Sequence, residues 1–141
     1  MPADTLTVTT QFAIALDTED YATARSLLSN DCRYEIGGQT LIGIDAIVAS
    51  YQKNSNEAPK RFDAIEYASA VESTGTNTAV IKFTDRVRLA DEWHDYYCKQ
   101  HVTTNHDGLI GSIRHEEISG QRETLNAFEK RLRAGGTSEA H

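Results

Sequence analysis

The sequence predicts an α+β cone: a strongly curved antiparallel sheet wrapped around N-terminal helices, enclosing an apolar pocket, with one further helix at the C-terminus. Three observations predict it. Apolar residues recur at helical spacing up to Tyr51 and then change to a period of two. The strands that follow are long and in hairpin order, and long strands twist and coil until the sheet curls around its helices. The 141 residues are 39% hydrophobic and 25% charged, enough for one buried core, with no linker or repeat to divide them. The expected domain is therefore 1–134, with a frayed tail over 135–141 beginning at Gly135-Gly136.

Taken in order, Val8, Phe12, Ala15 and Leu16 share one face of a first helix that Asp4 can cap. Tyr21, Ala24, Leu27 and Leu28 mark a second, short helix ending near Asn30. Residues 32–36 alternate as a strand, with Cys32, Tyr34 and Ile36 on one face, and Gly37-Gly38 breaks it. Ile44, Ile47, Val48 and Tyr51 give a third helix, fading through Asn54-Ser55-Asn56 before Pro59. A strand over 61–72 follows, with Ile65, Tyr67 and Val71 together, and then a turn over 74–77. Across 78–89, Ile81, Phe83, Val87 and Leu89 face one way, and Lys82, Thr84, Arg86 and Arg88 the other. A strand over 93–105 leads to an Asp107-Gly108 turn and a last strand over 109–118. Leu125, Phe128 and Leu132 align on a final helix over 121–132.

Charge and motif content exclude several functions. A net charge of −7 repels nucleic acid, whose binding needs clustered Lys and Arg, and disfavours an anionic membrane surface. No apolar run approaches the length of a membrane span. Met1-Pro2-Ala3-Asp4 lacks the basic and apolar pattern of a secretory signal, so a cytoplasmic location is expected. Cys32 and Cys98 are far apart without CxxC spacing, which predicts buried thiols rather than a disulfide. No phosphate loop, nucleophile elbow or metal signature is present, so no cofactor is expected.

The segments QFAIALDTEDYATARSLLSNDCRYEIGG, GIDAIVASY and HDGLIGSIRHEE, in this order and spacing, resemble the nuclear transport factor 2-like superfamily. That superfamily includes SnoaL-like polyketide cyclases, ketosteroid isomerases and scytalone dehydratase. The resemblance spans about residues 6–118, with Leu109 where the turn usually carries Lys. It implies the cone fold and a homodimer formed through the outer sheet face, but it selects no single activity. Ketosteroid isomerase holds its substrate oxyanion with a first-helix Tyr and a carboxylic acid kept neutral. The matching positions here are Phe12 and Gln100, which have no hydroxyl and no ionisable proton, and the base position falls near Tyr34 or Glu35. Only Tyr51 matches a supporting tyrosine of that site, so that isomerisation is not expected here.

Strand alternation nominates the pocket residues independently. Asp85 lies on the inward side between Phe83 and Val87, so it pairs with backbone N–H groups or an Arg, holds a raised pKa, or meets water at a cavity mouth. It is the first catalytic candidate, as general acid or base. On the next strand Tyr96, Cys98, Gln100 and Val102 form the more apolar face, which one β-bulge would exchange for the other. Gly111, Ile113, His115 and Glu117 share a face on the last strand, making His115 the second acid/base candidate. His115 and Glu117 alone are too few for a metal site, and none is expected. Phe12, Tyr34, Tyr51, Ile81, Phe83, Tyr96, Cys98, Gln100 and Ile113 are the expected ligand-binding walls.

Three functions fit this reading. The first is a cofactor-independent cyclase, isomerase or dehydratase acting on an apolar, oxygen-bearing small molecule. The second is a binding module that holds an apolar ligand unchanged. The third is an interaction domain using an outer face of Lys82, Thr84, Arg86, Lys99, Thr103 and Arg114.

Overall fold

In the computed structural model, which describes residues 4–139, the helical first half is set by caps and glycines. Asp4 accepts the Thr7 amide at 2.7 Å and starts α1 (Thr5–Asp17), as expected. Asp20 caps α2 (Tyr21–Ser26) in the same way through Thr23. The chain turns extended earlier than predicted, because β1 (Leu28–Ile36) begins where the Leu27 carbonyl meets the Ile110 amide. Gly37 and Gly38 do not end the strand but reverse it: both have positive φ, as a two-residue hairpin turn requires, and a short β2 (Gln39–Ile42) follows.

α3 spans Ile44–Arg61 and runs through Pro59, past the predicted fade. Tertiary burial prolongs it, since Ala58 and the capping Phe62 are buried in the core. The long strands fall close to their predicted bounds: β3 (Ala64–Ser73), β4 (Thr78–Leu89), β5 (Glu92–Thr104) and β6 (Ile110–Glu117). α4 spans Gln121–Glu139, continuing beyond Leu132 and the glycine pair; residues 140–141 of the predicted tail lie outside the described residues.

The sheet has six strands in the order β2-β1-β6-β5-β4-β3 and is not closed. It is mixed rather than wholly antiparallel, because β1 and β6 pair in parallel. After the β1–β2 hairpin, α3 carries the chain to the far edge, and β3 to β6 meander back until β6 lies alongside β1. The inward register of β5 is the apolar one predicted: Tyr96, Cys98, Gln100 and Val102 are all buried.

Two clusters form the core. One packs α1 and α3 on the sheet through Phe12, Tyr34, Ile47, Ile81 and Ile113, fully or almost fully buried side chains worth about 1.5–3 kcal/mol each. The other lies beneath α4 and joins Phe62, Val87, Tyr96, Leu125 and Phe128. Phe83 packs against both. Among the described residues no helix is long and apolar enough to cross a membrane.

Candidate functional site

Between the two clusters opens a cavity of about 430 Å³, within the size range of small-molecule sites. Its walls come from the inner sheet face, from α3 and from α4, with Asp17 at the end of α1. Strand pairing sets the rows of side chains on that face. Asp85 stands directly across from Tyr67 on β3 and from Tyr96 on β5, while Gln100 stands across from His115 on β6.

Gln100 organises one end. Its Nε2 donates to the Tyr34 hydroxyl at 2.9 Å and lies 3.2 Å from His115 Nδ1, and its Oε1 accepts the Tyr51 hydroxyl at 2.5 Å. The Tyr34 and Tyr51 rings stack at 5.1 Å, and Phe12 meets Tyr51 edge-on at 5.8 Å. With Nδ1 facing a donor, His115 keeps its proton on Nε2. That atom lies 3.8 Å from Glu117 Oε1, too far for a hydrogen bond. Burial holds the imidazole below the usual histidine value, so the ring is neutral at neutral pH. Burial raises both tyrosines, Tyr34 to about 12, so they stay protonated.

The other end is acidic. Asp85 makes no hydrogen bond or ion pair among the described residues, neither with backbone N–H groups nor with an Arg. Burial, reinforced by the charge of Asp17, pushes its carboxyl up to about 6. Asp17 accepts the Ser69 hydroxyl at 2.6 Å and is itself raised by burial. Toward α4, Arg122 donates to Glu117 at 2.7 Å and to the Tyr96 hydroxyl at 3.1 Å.

Of the residues nominated from the sequence, the structure brings Tyr34, Tyr51, Phe83, Asp85, Tyr96, Cys98, Gln100 and His115 to the cavity wall. Phe12, Ile81 and Ile113 are not on it. Each is 0% exposed, because α1 presses on the sheet and fills the narrow end of the cone behind the two stacked tyrosines. Both cysteines are free and buried, with thiols pushed up to about 12 by burial, which leaves no thiolate for nucleophilic chemistry. Among the described residues no group of three or more His, Cys, Asp or Glu is arranged to hold a metal.

The sequence reading missed Asp17 and Arg122 as lining residues. Asp17 had a signal: an acidic residue ending a helix, where the dipole favours a cation, directly after apolar Leu16. Arg122 had none, since its position depends on how α4 docks.

No protein-family model matches the sequence, and no curated protein matches it. Solved structures do match in fold. An NTF2-like protein of unknown function from Exiguobacterium sp. 255-15 is 18% identical with a TM-score of 0.61, covering 79% of this chain and 98% of that one. A protein described as a putative polyketide cyclase from Pseudomonas putida KT2440 is 14% identical with a TM-score of 0.63, covering 84% and 95%. Another so described, from Xanthomonas campestris pv. campestris, is 11% identical with a TM-score of 0.60, covering 77% and 85%.

Proposed function

On the premise that this chain has the nuclear transport factor 2-like fold, we propose that it is a cofactor-independent enzyme of the cyclase, isomerase or dehydratase kind. Its substrate is a small apolar molecule bearing an oxygen. The observation that carries this reading is the Asp85 carboxyl, unpartnered and raised to about 6 on an aromatic-walled cavity. Ionised Asp85 takes a proton from a carbon next to the substrate's carbonyl. The His115 Nε2–H hydrogen-bonds that oxygen as negative charge grows on it, and Asp85 then returns the proton to the product. A neutral imidazole suits this role because it donates without giving its proton away. The reading also takes the chain to be a cytoplasmic homodimer, free of nucleic acid and membrane.

The test is deuterium exchange at the carbon acid of β-tetralone, followed by proton NMR at pH 7.5. The protein should accelerate exchange, and Asp85→Asn should remove roughly 10²-fold or more of that acceleration, the usual worth of a positioned base. Equal acceleration by both proteins would remove Asp85 as the base, and no acceleration by either would leave a binding module.

A further inference from the structure

This inference rests on the reading above that the cavity is the site, and it concerns the charge of what enters. The polar groups lining the cavity divide into those with partners and those without. Gln100 and the two tyrosines satisfy one another. Arg122 is held by Glu117 and Tyr96, and Arg61 by Glu129. Asp85 has no partner among the described residues, and Asp17 has a neutral hydroxyl only. The charge left uncompensated in the interior is therefore negative.

Two independent features sharpen this. Asp17 is the last residue of α1, whose final turn carries no basic residue, so the carbonyl end of the helix adds negative potential at the same place. Tyr67 and Tyr96 stand directly across from Asp85 on the adjacent strands, placing a ring on either side of it. The Arg122 guanidinium lies 5.2 Å from the centre of the Tyr96 ring, so Tyr67 is the ring left to add its quadrupole to the two carboxylates in attracting an organic cation.

We propose that the cavity takes an organic cation, a protonated amine or quaternary ammonium on an apolar body, with its charge between Asp17 and Asp85. The apolar body lies along Phe83 toward Tyr34, and an anionic ligand is repelled by the same two carboxylates. A bound cation favours ionised Asp85, so it lowers that carboxyl from about 6 and extends its range as a base toward more acid pH. Binding then expels a proton, and affinity rises as pH climbs through about 6. Asp17 is itself raised by burial and interacts with Asp85, so the two carboxyls share this change. Tyr67, Tyr96 and Cys98 sit near 12, and Arg122 is paired with Glu117. Burial holds His115 below its usual value.

The experiment titrates the full chain with benzyltrimethylammonium, whose charge is independent of pH, and with neopentylbenzene, its neutral isostere, reading Kd by NMR. At pH 7.5 the cation should bind at least about tenfold more tightly than the isostere, and this advantage should shrink several-fold at pH 5. Asp17→Asn, which keeps an acceptor for Ser69, should lose about tenfold in cation affinity while isostere binding stays unchanged. Tyr67→Leu serves as a second variant: it removes a cavity wall for both ligands but should weaken the cation more than the isostere. Isostere binding as tight as cation binding at pH 7.5, or cation affinity indifferent to both variants, overturns the proposal. The β-tetralone assay on the same samples separates the two ideas. Intact exchange with no cation preference overturns the ligand class alone, whereas loss of exchange and of all binding overturns the site itself.

Discussion

A carboxyl group set between Tyr67 and Tyr96, with no donor reaching it, must trade ionisation against folding. Asp85 has a folded pKa of about 6 against an ordinary 3.8, so the folded state binds its proton more tightly than the unfolded chain does. The stability it contributes is complete below about pH 3.8 and is lost as pH rises through about 6. At pH 7 the ionised group costs up to about 3 kcal/mol, at 1.36 kcal/mol per pKa unit. Asp85→Asn should therefore raise the melting temperature at pH 7 and leave it nearly unchanged at pH 4. A variant that melts earlier than the parent at pH 7 would contradict this. Residues that fail to match a familiar site are informative on the same scale. Gln100 cannot ionise, and the structure uses it instead to bridge Tyr34, Tyr51 and His115.

α4 is the element that decides how open the cavity is. It supplies Leu125 and Arg122 to the wall, and its tertiary contacts are chiefly with β5. Phe128 anchors it, 6% exposed and stacked at 4.9 Å on His94, and Arg131 adds two bonds to Glu92 on an exposed rim. Exposed pairs of that kind contribute little, so the apolar anchor carries the docking. Phe128→Ala should cost about 3 kcal/mol or more and raise hydrogen exchange in α4 before it rises in β4 and β5. Exchange rising uniformly across the chain would show that α4 is not a separately opening unit. Amphipathic spacing made this helix legible as Leu125, Phe128 and Leu132, but its docking angle is written in no local pattern. β2 and the last turns of α3 were illegible for a related reason. A strand of four residues has too short a period to read, and Pro59 argues for a helix end that burial of Ala58 and Phe62 overrides.

For the whole molecule, the outer sheet face remains to be accounted for. Lys82, Arg86 and Arg114 are exposed there, with Trp93 40% exposed and the Arg86 guanidinium 4.9 Å from its ring centre. Pairing of two copies through this face predicts a homodimer by light scattering at micromolar concentration, and a monomer would refute it. Acidic and basic residues alternate on the face, as in Arg86 with Glu66 and Asp95, which suits a self-complementary contact.

The sequence by itself determined the α+β class and the long-strand bounds, and it nominated the row of Tyr96, Cys98 and Gln100, whose inward register the structure decided. Each of these readings follows from a local period that alternates or recurs wherever one face is buried. Only the tertiary structure decided that β1 and β6 run parallel, that Phe12 and Ile113 fill the narrow end, and that Asp17 joins Asp85. Those outcomes depend on which distant elements meet across the sheet. A residue's own neighbours in sequence carry its periodicity, and they do not carry its partner 68 positions away.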